Sequence, residues 1–151
     1  MIKNVFDPEV VAELTARINK LTPATQPGWG KMTATQMLAH CNVSYEFVYT
    51  DKHPRPAGFM KLILKWLVKD KVVSEKPYKR STPTAPAFII KDERDFETEK
   101  KRLVEHLNQT QQLGEAHFDG KESHSFGKLS LTEWKTMFYK HIDHHLNQFG
   151  V

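Results

Sequence analysis

Apolar residues recur at three- and four-residue steps along four stretches of the chain. Val10, Val11, Leu14, Ile18 and Leu21 form the first stripe, and that period belongs to a helix with one buried face. Asp7 and Pro8 precede it; the carboxylate can accept from orphan amides, and proline costs no hydrogen bond at the first helical position. Pro23 and Pro27-Gly28 close it, as helix breakers do. Thr33 with Gln36 forms a capping box ahead of the second helix. There Met37, His40, Ser44 and Phe47 share one face, and Leu38, Cys41, Tyr45 and Val48 the neighbouring one. Phe96, Leu103, Val104 and Leu107 mark a further helix, opened by Asp92 or Asp95. Ser130 and Glu133 box the start of the last, whose stripe runs Leu131, Trp134, Phe138, Ile142 and Phe149. The four long helices are expected at about 7–21, 33–50, 92–112 and 130–148.

The stretches between them are less regular. Residues 59–69 predict a short amphipathic helix carrying Lys61 and Lys65. Such a helix either lies on a membrane surface or packs over the protein with its lysines in water; the second reading is favoured. Residues 72–86 hold three prolines and a basic patch at 76–80, and read as a long loop of the kind that covers binding sites. Residues 114–127 read as loop. Val72-Val73 and Phe88-Ile89-Ile90 are too short to predict strands. The expectation is an all-α fold, a four-helix bundle with one short extra helix, in a single domain over residues 1–151. The long passage before the helix at 92 permits a crossed connection.

Composition narrows the function classes. The 151 residues are 39% hydrophobic and 26% charged, enough apolar content for a globular core. The net charge is +4, but the lysines are scattered and offset by nearby acids, unlike a nucleic-acid-binding face. Cys41 is the only cysteine, so no internal disulfide forms, which fits a reducing compartment. The start of the sequence lacks the apolar segment of a signal peptide, and the longest apolar run, residues 59–68, is too short to span a bilayer. The expectation is a cytoplasmic protein with no nucleic-acid or membrane partner.

The candidate chemistry lies in the histidines. His141 and His145 continue the Trp134–Phe138 step on the buried stripe, so their rings stack one turn apart and reach one ion. Neutral imidazole suits zinc, nickel, copper or ferrous iron. Two ligands do not make a site. His40, on or beside the buried stripe of the second helix, is the candidate third, since bundle cores build sites from facing helices. Three histidines and an open position make an exchangeable or catalytic site; the plain alternative is three core histidines that only hydrogen-bond. Gln148, three residues after His145, either orients a ligand or is an exposed helix-end side chain. His106 and His117 have no evident partner and are read as surface residues. Cys41 reads as a small core residue, and Tyr45, Tyr49 and Tyr139 as packing residues.

The chain resembles the DinB-like, or YfiT-like, superfamily of helical bundles. The resemblance rests on His141-Ile142-Asp143-His144-His145-Leu146-Asn147-Gln148 and on Met32-Thr33-Ala34-Thr35-Gln36-Met37-Leu38-Ala39-His40. Trp29-Gly30-Lys31-Met32-Thr33 and Phe126-Gly127-Lys128-Leu129-Ser130 are similar to one branch, domain-of-unknown-function 1569. The resemblance covers nearly the whole chain. It implies a bundle with crossed connections, often a dimer, and a divalent metal (zinc, nickel or iron) held by His40, His141 and His145. It implies no metal-binding role for His144, and none is carried onto His124.

Three functional classes remain. The resemblance implies thiol transferases and hydrolases among the relatives, so one expectation is transfer of a low-molecular-weight thiol to a small electrophilic substrate, and another is metal-dependent hydrolysis. The third is a non-catalytic bundle using the site for stability or sensing. Hydrolysis ordinarily needs a carboxylate base. Neither Asp143, on the far side of its helix, nor Glu46, well round from His40, suits that role.

Overall fold

A computed structural model describes residues 1–151. It is helical, with six α-helices and one two-stranded hairpin. The long helices are α1 (Pro8–Asn19), α2 (Ala34–Tyr49), α5 (Phe96–Phe118) and α6 (Leu131–Gln148); the short ones are α3 (Gly58–Leu67) and α4 (Lys69–Val73). A 3-10 turn covers Pro86–Phe88. No helix is long and apolar enough to cross a membrane.

The stripes read from the sequence form the core. Leu14 and Ile18 of α1, Met37 and Leu38 of α2, Leu103 and Leu107 of α5, and Trp134 and Ile142 of α6 are buried in one cluster. Complete burial of each such side chain favours folding by roughly 1.5–3 kcal/mol. Helices α1 and α2, consecutive in sequence, each pack on both α5 and α6. Both capping boxes, Thr33–Gln36 and Ser130–Glu133, are formed. These boxes fix where α2 and α6 begin, and so which turn carries each histidine.

Several expectations are corrected. Asp7 occupies the N-cap of α1 without accepting from its amides; its Oδ1 accepts instead from Asn4 Nδ2 at 2.9 Å. Asp95 is the cap of α5, accepting from the Thr98 amide at 2.8 Å. Gly114, at φ 72° and ψ 176°, is non-helical and ends the first segment of α5 where expected, but a further helical turn follows across the kink, and its Phe118 is fully buried against Phe6, Trp134 and Phe138. The rest of the expected loop holds the hairpin, β1 (Glu122–Ser123) antiparallel to β2 (Gly127–Lys128). The expected helix at 59–69 divides at Val68 into α3 and α4, and α3 buries none of its residues.

The passage from α4 to the 3-10 turn is an arm tied down at both ends. On α6, the buried Lys140 ammonium donates to the carbonyls of Lys71 at 2.9 Å, Ser74, and Lys76 at 3.2 Å. It also lies 4.5 Å over the Tyr78 ring. Burial lowers the Lys140 pKa to about 8, with Asp70 acting in the opposite sense. At its far end the arm presents the Phe88 carbonyl to His40 and the Ile90 carbonyl to Gln36 Nε2 at 3.4 Å. The arm therefore lies over the histidine-bearing ends of α2 and α6.

Candidate metal centre

His40, His141 and His145 meet where α2 faces α6. One ring nitrogen from each lies within 4.8 Å of the others, an arrangement that could hold a metal ion. His40 and His145 are buried, and His141 is partly exposed. Three ligands of one tetrahedral ion lie about 3.3 Å apart, given metal–nitrogen bonds of about 2.0–2.1 Å. The His40 and His141 Nε2 atoms are 3.0 Å apart.

What aims these rings is the partner on each Nδ1. His40 Nδ1 is 2.9 Å from the Phe88 carbonyl. A carbonyl only accepts, so the proton sits on Nδ1 and the Nε2 lone pair faces inward. His145 Nδ1 is 2.8 Å from Gln148 Oε1, while Gln148 Nε2 donates to the Trp29 carbonyl at 2.7 Å. The amide is thereby oriented with its oxygen toward His145, and again Nε2 carries the free lone pair. His141 Nδ1 is 2.8 Å from Ser44 Oγ. A hydroxyl donates or accepts, so His141 has two satisfied states. With Ser44 donating, His141 Nε2–H donates to His40 Nε2 and the pair is closed without metal. With Ser44 accepting, His141 presents a third lone pair beside the other two. Outer partners of this kind fix tautomer and ring orientation in metal sites.

Gln148 is fixed in turn by the turn that wraps the end of α6. Its carbonyl accepts from the Gly28 amide at 2.7 Å. Gly30 has φ +83°, and a Cβ there would come within 2.7 Å of Gln148 Nε2. The turn needs glycine both for its backbone and for the closeness of that approach.

All three imidazoles are held neutral. Burial lowers the pKa of His40, against the Phe88 hydrogen bond. Burial lowers that of His141 well below the ordinary value, aided by the other two rings. Burial and then His40 bring His145 to about 3, with Gln148 opposing. Neutral imidazole is the ligating form.

The rings open onto a cavity of about 480 Å³ roofed by the arm, its walls including Lys31, Gln36, Lys79 and Thr82. No aspartate or glutamate lines it. Tyr78 of the arm packs edge-on beside the histidines, outside the cavity wall, its ring centroid 6.5 Å from His141 and 5.4 Å from His144. His144 is ringed by Tyr78, Trp29 and His145, which places it at the cavity wall against loop residues.

The other residues considered for the site lie elsewhere. Asp143 is paired with Arg17 at 2.6 Å and ties α6 to α1. Glu46 is buried among Arg102, His53 and Lys52. Tyr45 is fully buried and stacked on Phe138, and Tyr49 is hydrogen-bonded to Thr110 at 2.6 Å. Tyr139 is buried, and Cys41 lies against Met37 with its thiol pKa pushed up by burial. His117 is exposed, as read from the sequence. His106 is not a surface residue: its Nδ1 bonds to Asn42 Oδ1 at 3.0 Å and its ring stacks on Tyr45. His124 stacks on Phe47, with ring centroids 4.0 Å apart, and does not reach the cluster. Ser44, Phe88, Tyr78 and Lys140 escaped the sequence reading. Only Ser44 left a signal, one turn beyond His40 on the same face.

Comparison with known proteins gives one family. No curated protein and no solved structure matches the chain. The family described as "Protein of unknown function (DUF1569)" matches residues 8–150. With all three histidines inside that span, the chain belongs to the DUF1569 family.

Proposed function

We propose that His40, His141 and His145 bind one divalent metal ion (zinc, nickel or iron) through their Nε2 atoms, in a DinB-like four-helix bundle with crossed connections. On this reading the protein is a metal-dependent transferase joining a low-molecular-weight thiol to a small electrophile. The observation that carries the reading is the set of Nδ1 partners: Phe88, Ser44 and Gln148 hold the three rings with Nε2 toward a cavity. An ion held there by neutral ligands keeps its full charge and lowers the pKa of a thiol or water brought beside it.

The cavity walls favour the thiol. A free thiol loses its proton near pH 8.5, against 15.7 for bulk water, so it needs far less help from a base. No carboxylate lines the cavity to give that help. Lys31 and Lys79 line it instead, which favours an anionic substrate. In the reaction the thiol proton leaves to solvent, the sulfur–carbon bond forms, and the leaving group departs with its electron pair. Such thiols are kept reduced in the cytoplasm, where a protein with one buried cysteine is at home. A competing reading draws on the Ser44–His141–His40 chain, which closes without metal and would make the cluster purely structural.

The test uses protein prepared without a polyhistidine tag and loaded with metal, given a thiol panel with an electrophilic acceptor and, separately, an ester and amide panel. The expected result is thioether formation that is lost in His40→Ala and weakened for acidic thiols in Lys31→Glu/Lys79→Glu. Thiol-independent ester or amide cleavage would replace this reading with hydrolysis. Turnover that survives in His40→Ala would place the activity elsewhere.

A further inference from the structure

Helix α3 is built inside out. Its sequence, Gly58-Phe59-Met60-Lys61-Leu62-Ile63-Leu64-Lys65-Trp66-Leu67, is the kind that ordinarily buries its apolar stripe and leaves its lysines in water. Here Phe59 is 78% exposed, Trp66 81%, Leu67 65%, Leu62 54% and Met60 53%. At 3.6 residues per turn, Leu62, Trp66, Phe59, Ile63, Leu67 and Met60 fall in that order round a continuous arc of about 160°. The helix packs on α4, and α4 on α6, so α3 is anchored from behind while the arc faces outward. A contiguous exposed apolar patch of this size marks an interaction site.

We propose that this arc is the contact surface between two copies of the chain, related by a two-fold axis that crosses the middle of α3. Area supports it: the five exposed side chains present on the order of 700 Å², close to the roughly 800 Å² per partner of a standard interface. So does the order of residues. An isologous contact needs a surface complementary to itself. About the midpoint between Leu62 and Ile63, an antiparallel partner sets Phe59 against Trp66 and Leu62 against Ile63, aromatic ends flanking a branched aliphatic centre.

The charges favour a second copy over a lipid surface. Lys61 is turned back to the body and pairs with Glu122 at 2.9 Å, and Lys69 pairs with Glu133 at 2.7 Å. A helix lying on an anionic bilayer needs its cations for headgroups, whereas these two are neutralised within the chain and Lys65 alone of the α3 lysines is left exposed without a carboxylate partner.

The experiment is sedimentation equilibrium on the untagged protein, compared with Leu62→Glu/Trp66→Glu. Both residues are exposed, so circular dichroism and the melting curve of the variant should match those of the parent. The expected result is a parent of twice the 17.5 kDa chain mass and a variant whose dimer dissociation constant is weaker by about 100-fold or more. In the parent, acrylamide should quench Trp66 fluorescence less as protein concentration rises. A parent that stays monomeric at high micromolar concentration, or a variant that dimerises as the parent does, would overturn the proposal. A monomeric parent that floats with anionic phosphatidylserine vesicles, and a variant that does not, would overturn it in favour of a lipid surface.

Discussion

Helix α2 carries two buried polar clusters, and they are built to opposite ends. At one, Glu46 and Glu99 are met by Arg102 and Arg94, Asn42 Nδ2 donates to Glu99, and His106 bonds to Asn42. Lys52 and His53 add further partners for Glu46. Every charge there is answered by the chain itself. At the other end, His40, His141 and His145 are answered on the Nδ1 side only, and their opposite nitrogens converge on a cavity. A closed cluster does its work when the chain folds. An open one leaves capacity for something that is not part of the chain. That difference, more than the presence of histidine, separates a candidate site from a polar core.

The two clusters can be perturbed separately. The largest effect is expected at the closed one. Glu46→Ala removes the carboxylate shared by Arg102, His53 and Lys52, of which Arg102 keeps Glu99, and denaturant unfolding should show a loss of about 2–3 kcal/mol, with metal affinity nearly unchanged once the protein is folded. At the open cluster the balance reverses. His145→Ala should lower metal affinity by more than about 100-fold, and Gln148→Ala or Ser44→Ala by about 10–100-fold, the range for outer partners of a ligand. Calorimetric titration with zinc orders these variants. Equal losses for Gln148→Ala and His145→Ala would mean that the ring orientation alone carries the site.

Acid separates the two ends more gently. His145 takes a proton near pH 6.5 when unfolded but only near 3 when folded, so between those values the unfolded chain binds more protons and stability falls as pH falls. The slope for one such histidine is about 1.4 kcal/mol per pH unit. Glu46 runs in a lower window. Burial raises its pKa, but the hydrogen bonds from Arg102, His53 and Lys52 outweigh that and bring it from 4.5 to about 2. Its contribution is fully present above pH 4.5 and is lost as pH falls through 2. Metal-free protein should therefore begin to weaken below about pH 6.5, and His145→Gln should make that first limb shallower, with His40 and His141 still contributing, while leaving the second.

How far the sequence foretold this depends on whether the information was local. The boxes at Thr33–Gln36 and Ser130–Glu133 and the 3.6-residue stripes are local, and they located α2 and α6 and their three histidines. The break at Gly114 was legible, since glycine at positive φ ends many helices, but the helical turn beyond it was not, because the burial of Phe118 that holds it comes from distant residues. The direction of the α3 arc was equally illegible. A stripe reports that a helix has two faces, not which one meets the body, and α3 is anchored through α4, with Lys61 set against Glu122, far along the chain. The same holds for His106, whose partner Asn42 lies on another helix, and for the Phe88 carbonyl on His40. Backbone acceptors supplied by a loop leave no residue type to read.

Whether the open cluster takes an ion can be counted directly. Untagged protein is reconstituted with zinc, nickel or ferrous iron, freed of excess and subjected to elemental analysis. One ion per chain is expected, lost in His141→Ala while circular dichroism shows the helices intact. Wild-type protein that is folded and takes up no ion from any of the three would contradict the metal site, leaving the Ser44–His141–His40 chain as a closed hydrogen-bond network.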